Sequence, residues 1–307
     1  MSTFKALVHP VYNDIVAVDK ISFNIDQGEI VGFIGPNGAG KTTTLKMLTG
    51  LLYPTAGNIC VSGFVPYERT SSYLKSISLV MGNKSQLNPS ITVMDSFYIT
   101  KEIYQISDRD YRTRLDNLVS LLEINELLPK LSRNLSLGER AKCEFAAALL
   151  YQPKILFLDE PTLGMDVSVQ IRLRNFIKEY NQKYGTTILL TSHYMADITS
   201  LCSRTMLINK GKLIYDGSLE QLSVKLSPFK LIKATFQQEV PDILEQINCE
   251  ASNIGQTGLT YTIRVKKEDV SKATVTLLNT FSVNDLSIEN PSIEAVIDQA
   301  YQGGLAV

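Results

Sequence analysis

The sequence lacks several features that would assign it to a membrane-spanning, secreted or nucleic-acid-binding class. No apolar run approaches the ~20 residues needed to cross a bilayer, so a membrane role would have to come through a partner. Residues 1–5 lack the apolar core of a signal peptide, and we expect none. The 30 basic and 31 acidic side chains leave a net charge of −1 with no local Lys/Arg cluster, so nucleic acid is not an expected partner.

The sequence is also poor in cysteine and histidine. The cysteines are scattered without a C-x-x-C pair or a histidine at metal-ligand spacing; they are Cys60, Cys143, Cys202 and Cys249. We interpret them as reduced, mostly buried thiols of a cytosolic protein rather than a metal site. At 307 residues the chain is large for one hydrophobic core, which predicts one large domain and a smaller one.

The most informative stretch is a glycine-rich loop between a predicted strand and a predicted helix. Residues 29–34 are mostly apolar, and Leu45, Leu48 and Leu52 recur at helical spacing. The loop fits the pattern G-x-x-x-x-G-K-[ST] and consists of Gly35, Pro36, Asn37, Gly38, Ala39, Gly40, Lys41, Thr42 and Thr43. In that context its backbone N–H groups and the helix N-terminus are expected to bind phosphate. Lys41 would reach the β- and γ-phosphates, and Thr42 would offer its hydroxyl to Mg²⁺.

Two acids follow a second buried strand. Residues 155–158 are apolar and are followed directly by Asp159 and Glu160. Because open α/β sheets bind ligands at the carboxyl ends of their strands, we expect Asp159 to hold Mg²⁺ through its water shell and Glu160 to polarise the attacking water. The alternative is a pair of solvated surface acids. His193 ends the next predicted strand, where it is either structural or a hydrogen-bond donor to the γ-phosphate.

Two further sites allow two interpretations each, and two longer segments predict only secondary structure. Ser136 followed by Glu139 predicts a capping box worth about 1 kcal/mol, and the segment alone favours this cap over a second anion site. Tyr12 is either a surface aromatic or, beside a nucleotide, a residue that stacks on adenine. Alternation within residues 4–25 predicts half-buried strands, and residues 92–128 predict a helical insertion.

The order and spacing of these motifs resemble those of the ATP-binding subunits of ABC transporters, across about residues 4–222. Residues 35–43 resemble the Walker A loop, and residues 155–160 resemble Walker B with its catalytic glutamate. Residues 135–139 resemble the signature motif, which replaces the cap-first interpretation of that segment. His193 occupies the position of the switch histidine, and Tyr12 that of the adenine-stacking aromatic.

The resemblance implies an α/β P-loop NTPase fold of the ABC ATPase type, with a mixed sheet core, an antiparallel β subdomain and a helical insertion. The ATPase domain would span residues 1–226, with its helical subdomain at about 88–152. A small α+β domain would follow at residues 227–307, after the boundary marked by Ser227 and Pro228.

Two positions depart from the family pattern. The signature is LSLGE where LSGGQ is commonest, but Ser136 and Gly138 are retained, and Glu139 stands in the last position. The Q-loop glutamine, which contacts nucleotide and Mg²⁺ in the family, is matched by Asn83. Asparagine is one methylene shorter, so the alternative is that Gln86 replaces it.

The resemblance further implies the cofactors ATP and Mg²⁺ and catalytic roles for Lys41, Glu160 and His193. A second ATPase subunit, identical or not, would complete each ATP site through its own Ser136, Gly138 and Glu139. Separate integral membrane subunits, most similar to the ABC-2 type, would hold the chain at the cytoplasmic face of the membrane and use it for export. The alternatives are an importer ATPase, or a soluble ABC protein acting on ribosomes or DNA.

Overall fold

The computed structural model of the chain describes residues 15–82, 84–226, 229–240, 243–247 and 251–301. The chain divides into two compact units, Met1–Asp216 and Gly217–Val307. The boundary residues predicted from the sequence, Ser227 and Pro228, lie outside the described residues. The division therefore precedes the predicted one, and the helix between them belongs to the second unit.

The first unit is built on a sheet whose strands end at one common edge. Its strands are β1 (Ile30–Ile34), β2 (Ile77–Met81), β3 (Ile155–Asp159), β4 (Thr187–Thr191), β5 (Arg204–Asn209) and β6 (Lys212–Gly217). The six strands follow the order β2-β3-β4-β1-β5-β6, and the first five strands in this order run parallel to one another. The loops after β1, β2, β3 and β4 therefore lie on the same side of the molecule. This sheet is the mixed core that the sequence predicts, since the two-residue turn before β6 joins antiparallel neighbours.

Helices connect these strands and form the predicted insertion. They are α1 (Lys41–Leu48), α2 (Ser71–Ser76), α3 (Val93–Tyr104), α4 (Asp108–Leu122), α5 (Leu137–Leu149), α6 (Val167–Tyr184) and α7 (Met195–Leu201). Helices α3 and α4 lie where the helical insertion is predicted. On α4 the structure buries Leu115, Leu118 and Leu122, whereas Leu121 lies off this stripe and is exposed.

The antiparallel strands expected near the N-terminus are the part of the fold prediction that differs. Residues 15–29 contain no strand, residues 4–14 lie outside the described residues, and farther along the chain a single bridge joins Val61 to Phe64. Ile21, Phe23 and Ile25 are nevertheless half-buried and pack on the core cluster of β1, α1 and β3. The alternation therefore predicted the burial correctly. The alternation could not show whether a neighbouring strand pairs with this segment. Among the described residues none does, so no strand is assigned.

The second unit is a small α+β domain, as predicted. Its strands are β7 (Phe229–Phe236), β8 (Ala251–Thr257), β9 (Thr260–Lys266) and β10 (Val283–Glu289), in the antiparallel order β10-β7-β9-β8. Its helices are α8 (Leu219–Leu226), α9 (Ile243–Gln246), α10 (Val270–Thr280) and α11 (Ile293–Gln299). The buried face of β7 and β9 packs with α10 in one apolar cluster that includes Ile232, Phe236, Ile263 and Leu277.

Two composition-based expectations can be compared with the structure. Within the described ranges, no helix combines the length and apolarity needed to cross a membrane. Cys143 is buried and Cys202 is half-buried, but Cys60 is exposed, and Cys249 lies outside the described residues. The expectation of mostly buried thiols therefore fails at Cys60, which lies in an irregular segment before the Val61–Phe64 bridge.

Candidate active site

The loop between β1 and α1 requires glycine at two positions because the backbone of other segments approaches it closely. A Cβ at Gly35 would lie 2.3 Å from the carbonyl oxygen of Ile208. A Cβ at Gly40 would lie 2.5 Å from the carbonyl oxygen of Ala17, and Gly40 also has a φ of +108°. The loop can therefore take this shape only with glycine at both ends, which leaves its N–H groups gathered ahead of α1.

Lys41 is buried at the start of α1 and held by the loop itself. Its Nζ donates to the carbonyl oxygens of Gly35 at 2.6 Å and Pro36 at 3.2 Å. Burial lowers the pKa of this ammonium, and the nearby charges of Glu160 and Asp159 partly offset the effect. The positive charge is thus placed in the loop, within the field of the two acids at the end of β3.

Asp159 joins the glycine-rich loop to the neighbouring strand ends. Thr42 Oγ1 donates to Asp159 Oδ2 at 3.0 Å, and Thr191 Oγ1, at the end of β4, donates to Oδ1 at 2.6 Å. Hydroxyl and carboxylate oxygens are the donors that Mg²⁺ prefers. The Thr42–Asp159 pair therefore fits this ion.

Glu160 and His193 form a direct pair at the same edge. His193 Nε2 lies 2.8 Å from Glu160 Oε1, and both side chains are partly exposed. The Glu160 backbone has a φ of +53° and donates its N–H to the Thr191 carbonyl at 3.0 Å. A Cβ at Gly82 would lie 2.1 Å from the Glu160 carbonyl oxygen, so the end of β2 also needs glycine for this approach.

Ser136 forms the capping box that the sequence predicts at the start of α5. Its Oγ accepts from the N–H of Glu139 at 3.2 Å, and its own N–H donates to Glu139 Oε2 at 2.8 Å. The hydrogen bond from the Ser136 backbone, and then the one from Lys130, lower the pKa of Glu139. At Gly138 a Cβ would approach the side chain of Val169 to 3.2 Å.

The structure thus brings together some of the predicted site residues and leaves others apart. Lys41, Thr42, Asp159, Glu160 and His193 meet at one sheet edge. Within the part of the chain that the structure describes, no recorded hydrogen bond or ion pair joins the capping-box residues to residues 35–43. Tyr12 and Asn83 lie outside the described residues, so their predicted roles stay predictions.

Gln86, the alternative to Asn83, is used elsewhere in this structure. Its side-chain Nε2 donates to the carbonyl of Leu79 in β2. Its backbone N–H donates to both carboxylate oxygens of Glu144, at 2.9 and 2.8 Å. Both groups of Gln86 are therefore occupied by contacts within the fold, which does not favour it as the nucleotide-facing residue.

Sequence patterns missed a buried carboxylate behind the Glu160–His193 pair. Asp197 in α7 is fully buried and accepts hydrogen bonds from Thr162 Oγ1 at 2.5 Å and Ser192 Oγ at 2.6 Å. Arg174 Nη1 in α6 lies 2.9 Å from its other oxygen. Thr162 and Ser192 lie close in sequence to Glu160 and His193, so Asp197 fixes both loops. Its partners come from three elements, and no local spacing identifies it.

Comparison with known proteins gives a consistent family. A family model described as ABC transporter matches residues 18–163, and one described as EvrA-like ABC transporter, C-terminal domain, matches residues 228–289. The chain is 32% identical over 208 residues to the ABC transporter ATP-binding protein NatA of Bacillus subtilis (strain 168), covering 68% of this chain and 84% of that protein. It is 33% identical over 215 residues to the Nod factor export ATP-binding protein I of Burkholderia pseudomallei (strain 1710b), covering 69% of each.

The fold comparison agrees with the sequence comparison. A solved structure of an ATP binding subunit of an ABC transporter superposes with a TM-score of 0.63 at 26% identity. The match covers 68% of this chain and 86% of that one.

Proposed function

The chain belongs to the ATP-binding subunits of ABC transporters, which hydrolyse ATP, and we propose that it powers export through separate membrane subunits of the ABC-2 type. Lys41, the Thr42–Asp159 pair and the Glu160–His193 pair meet at one edge of the sheet, called here the catalytic edge. Their meeting is the observation that supports the catalytic assignment. The export direction draws support from the relative named as a Nod factor export protein. We place the chain on the cytoplasmic face of the membrane.

In this proposal each residue of the edge has a distinct role toward ATP. The loop N–H groups bind the phosphates, and Lys41 exchanges the Gly35 and Pro36 carbonyls for the β- and γ-phosphates. Thr42 and Asp159, with Asn83, hold Mg²⁺, which neutralises phosphate charge. Glu160 takes the proton of the attacking water, and His193 orients Glu160 and donates to the γ-phosphate. Tyr12 stacks on the adenine.

The N-terminus of α5 is proposed to act on the ATP held by a second ATPase subunit. Ser136 is exposed, and its Oγ accepts from the N–H of Glu139. The first N–H groups of a helix have no partner within the helix, so those of Leu137 and Gly138 can receive an anion. Because one chain carries one copy of each motif, two chains would form two ATP sites.

The proposed docking surface for the membrane subunits is the exposed apolar side of α3. Four large apolar side chains of this helix are at least one-third exposed: Met94, Tyr98, Ile99 and Ile103. A cluster of exposed apolar residues on one helix is typical of an interaction site. We expect tagged wild-type chain to co-purify with an integral membrane protein from detergent-solubilised host membranes.

The variant Ile103→Glu tests this surface, because Ile103 is 65% exposed and its replacement leaves the core intact. It should lose the membrane protein while keeping ATPase activity. Val224→Glu, at an equally exposed position in the second unit, is the matched control. Recovery of ribosomes or DNA with no membrane protein would contradict the transporter role but not the ATPase chemistry.

The variant Glu160→Gln tests the catalytic assignment. It should retain ATP binding and lose about 10²- to 10⁴-fold in phosphate release, because the amide cannot accept the water proton. Size-exclusion chromatography with ATP and Mg²⁺ should then show a trapped dimer. Glu126→Gln, at an exposed position in the helical insertion, is the control and should behave as wild type. Turnover at the wild-type rate by Glu160→Gln would show that Glu160 is not the base.

A further inference from the structure

A second buried carboxylate, Glu144, holds the loop that follows β2. Glu144 lies in α5, about two helical turns from Ser136, and only 6% of its surface is exposed. Its Oε1 accepts from Ser85 Oγ at 2.5 Å and from the N–H of Leu87 at 3.5 Å. Both of its oxygens accept from the N–H of Gln86, at 2.9 and 2.8 Å. This one carboxylate thus accepts hydrogen bonds from three donors of residues 85–87.

These contacts suit a carboxylate, because both of its oxygens accept from the loop. Among the described residues, no Lys or Arg forms an ion pair with Glu144, so the N–H and O–H donors of the loop are its observed partners. Glutamine would keep the shape and one acceptor oxygen, but it would turn an amide N–H₂ toward the N–H of Gln86, which lies between the two carboxylate oxygens. The interaction is therefore specific enough to fix the loop.

Residues 85–87, called here the 85–87 loop, lie between the catalytic edge and the start of α5. On one side the N–H of Lys84, next to the loop, donates to the Met81 carbonyl at the end of β2 at 3.1 Å, and the N–H of Gly82 donates to the Asp159 carbonyl at 2.9 Å. Gly82 also packs directly against the Glu160 carbonyl. On the other side Glu144 belongs to the helix that begins after Ser136. A continuous set of contacts therefore joins Glu160 to the N-terminus of α5.

We propose that Glu144 is a positioning residue that makes α5 and the 85–87 loop move as one body. It thereby fixes the N-terminus of α5 relative to the catalytic edge of the same chain. The proposal rests on the proposed function, since it presupposes that this N-terminus completes the ATP site of a second subunit. Loss of the Glu144 contacts then impairs assembly of the two-chain site and leaves ATP binding by one chain unchanged.

The test compares Glu144→Gln with Cys143→Ala, its buried neighbour on α5, which has no recorded contact with the 85–87 loop. Three quantities are measured: the Kd for ATP, the kcat for hydrolysis, and ATP-dependent dimerisation in the Glu160→Gln background. Glu144→Gln should lower kcat about 10- to 100-fold and weaken the dimer, with the Kd unchanged. Cys143→Ala should leave kcat and dimerisation as in wild type. Ser85→Ala, at an exposed position of the 85–87 loop, should lower the same two quantities to a smaller extent.

The outcomes separate this inference from the proposed function. If Glu160→Gln alone gives no ATP-bound dimer, the two-chain function fails. If that dimer forms and the added Glu144→Gln leaves it equally stable, with wild-type kcat, only the role of Glu144 is overturned. A loss of ATP-binding capacity in proportion to kcat shows a folding defect and also overturns it. If Glu144→Gln does not fold, wild-type values for Ser85→Ala refute the inference.

Discussion

Removal of the Asp197 side chain should destabilise the first unit strongly, because three partners depend on one fully buried carboxylate. In Asp197→Ala the Arg174 guanidinium loses its ion pair at 2.9 Å, and the hydroxyls of Thr162 and Ser192 lose an acceptor. Removing one partner of a buried pair costs about 3 to 5 kcal/mol. Arg174 retains some exposure, at 11% of its side chain, so it can recover part of its hydration. We therefore expect a loss of about 3 kcal/mol.

The control is Asp216→Ala, which breaks a pair of two hydrogen bonds, from Arg204 Nε to Oδ1 at 2.6 Å and from Arg204 Nη2 to Oδ2 at 2.8 Å. Both of these side chains are about one-quarter to one-third exposed, at 26% and 30%, so the expected loss is about 1 kcal/mol despite the bidentate geometry. Urea unfolding of the full chain, followed by far-UV circular dichroism, measures both values. Equal losses in the two variants would refute the argument that burial makes Asp197 the more important carboxylate.

Two other predictions concern helix α5, one its N-terminal cap and the other its buried thiol. Ser136→Ala and Thr92→Ala remove the same capping box from α5 and α3, so each should cost about 1 kcal/mol in urea unfolding. Only Ser136→Ala should also lose ATPase activity, and equal activity in both would contradict its role at ATP. Burial raises the pKa of the Cys143 thiol from 9.0 to about 12. As the pH rises, the thiol therefore ionises in the unfolded chain before it ionises in the folded chain, which lowers the free energy of unfolding. Cys143→Ala lacks this thiol, so it should lose less stability than wild type between about pH 9 and 12. Equal losses in the two proteins would show that Cys143 does not contribute.

Much of the fold follows from short-range patterns in the sequence. Strand β2 coincides with an apolar run that ends at Gly82, and helix α6 follows an amphipathic spacing. Strands β8 and β10 were not predicted, since polar residues such as Asn253, Gln256 and Asp285 interrupt any alternation. These strands are defined by pairing with β9 and β7, which is a long-range property of the sheet.

The same distinction applies to the candidate site. Asp159, Glu160 and His193 could be predicted together because each lies at or just after the end of a strand, and parallel strands bring their carboxyl ends to one edge. The sequence indicates that β2 ends at Gly82, but it does not show that this position must be glycine. That requirement comes from the Glu160 carbonyl of the adjacent strand, which only the register of β2 and β3 places there.

Asp197 and Glu144 show why buried polar residues outside the motifs escaped prediction. Adjacent strands β2, β3 and β4 end in loops that carry the site, and such loops present N–H and hydroxyl donors with no strand or helix partner. Asp197 accepts from the loops after β3 and β4, and Glu144 accepts from the loop after β2. Each carboxylate comes from a helix, and its donors lie far from it in the sequence, apart from Ser192, which is five residues before Asp197. Both carboxylates do the same thing at the sheet edge: they accept hydrogen bonds from loops that hold charged groups and lack strand hydrogen bonds, and so they fix those loops.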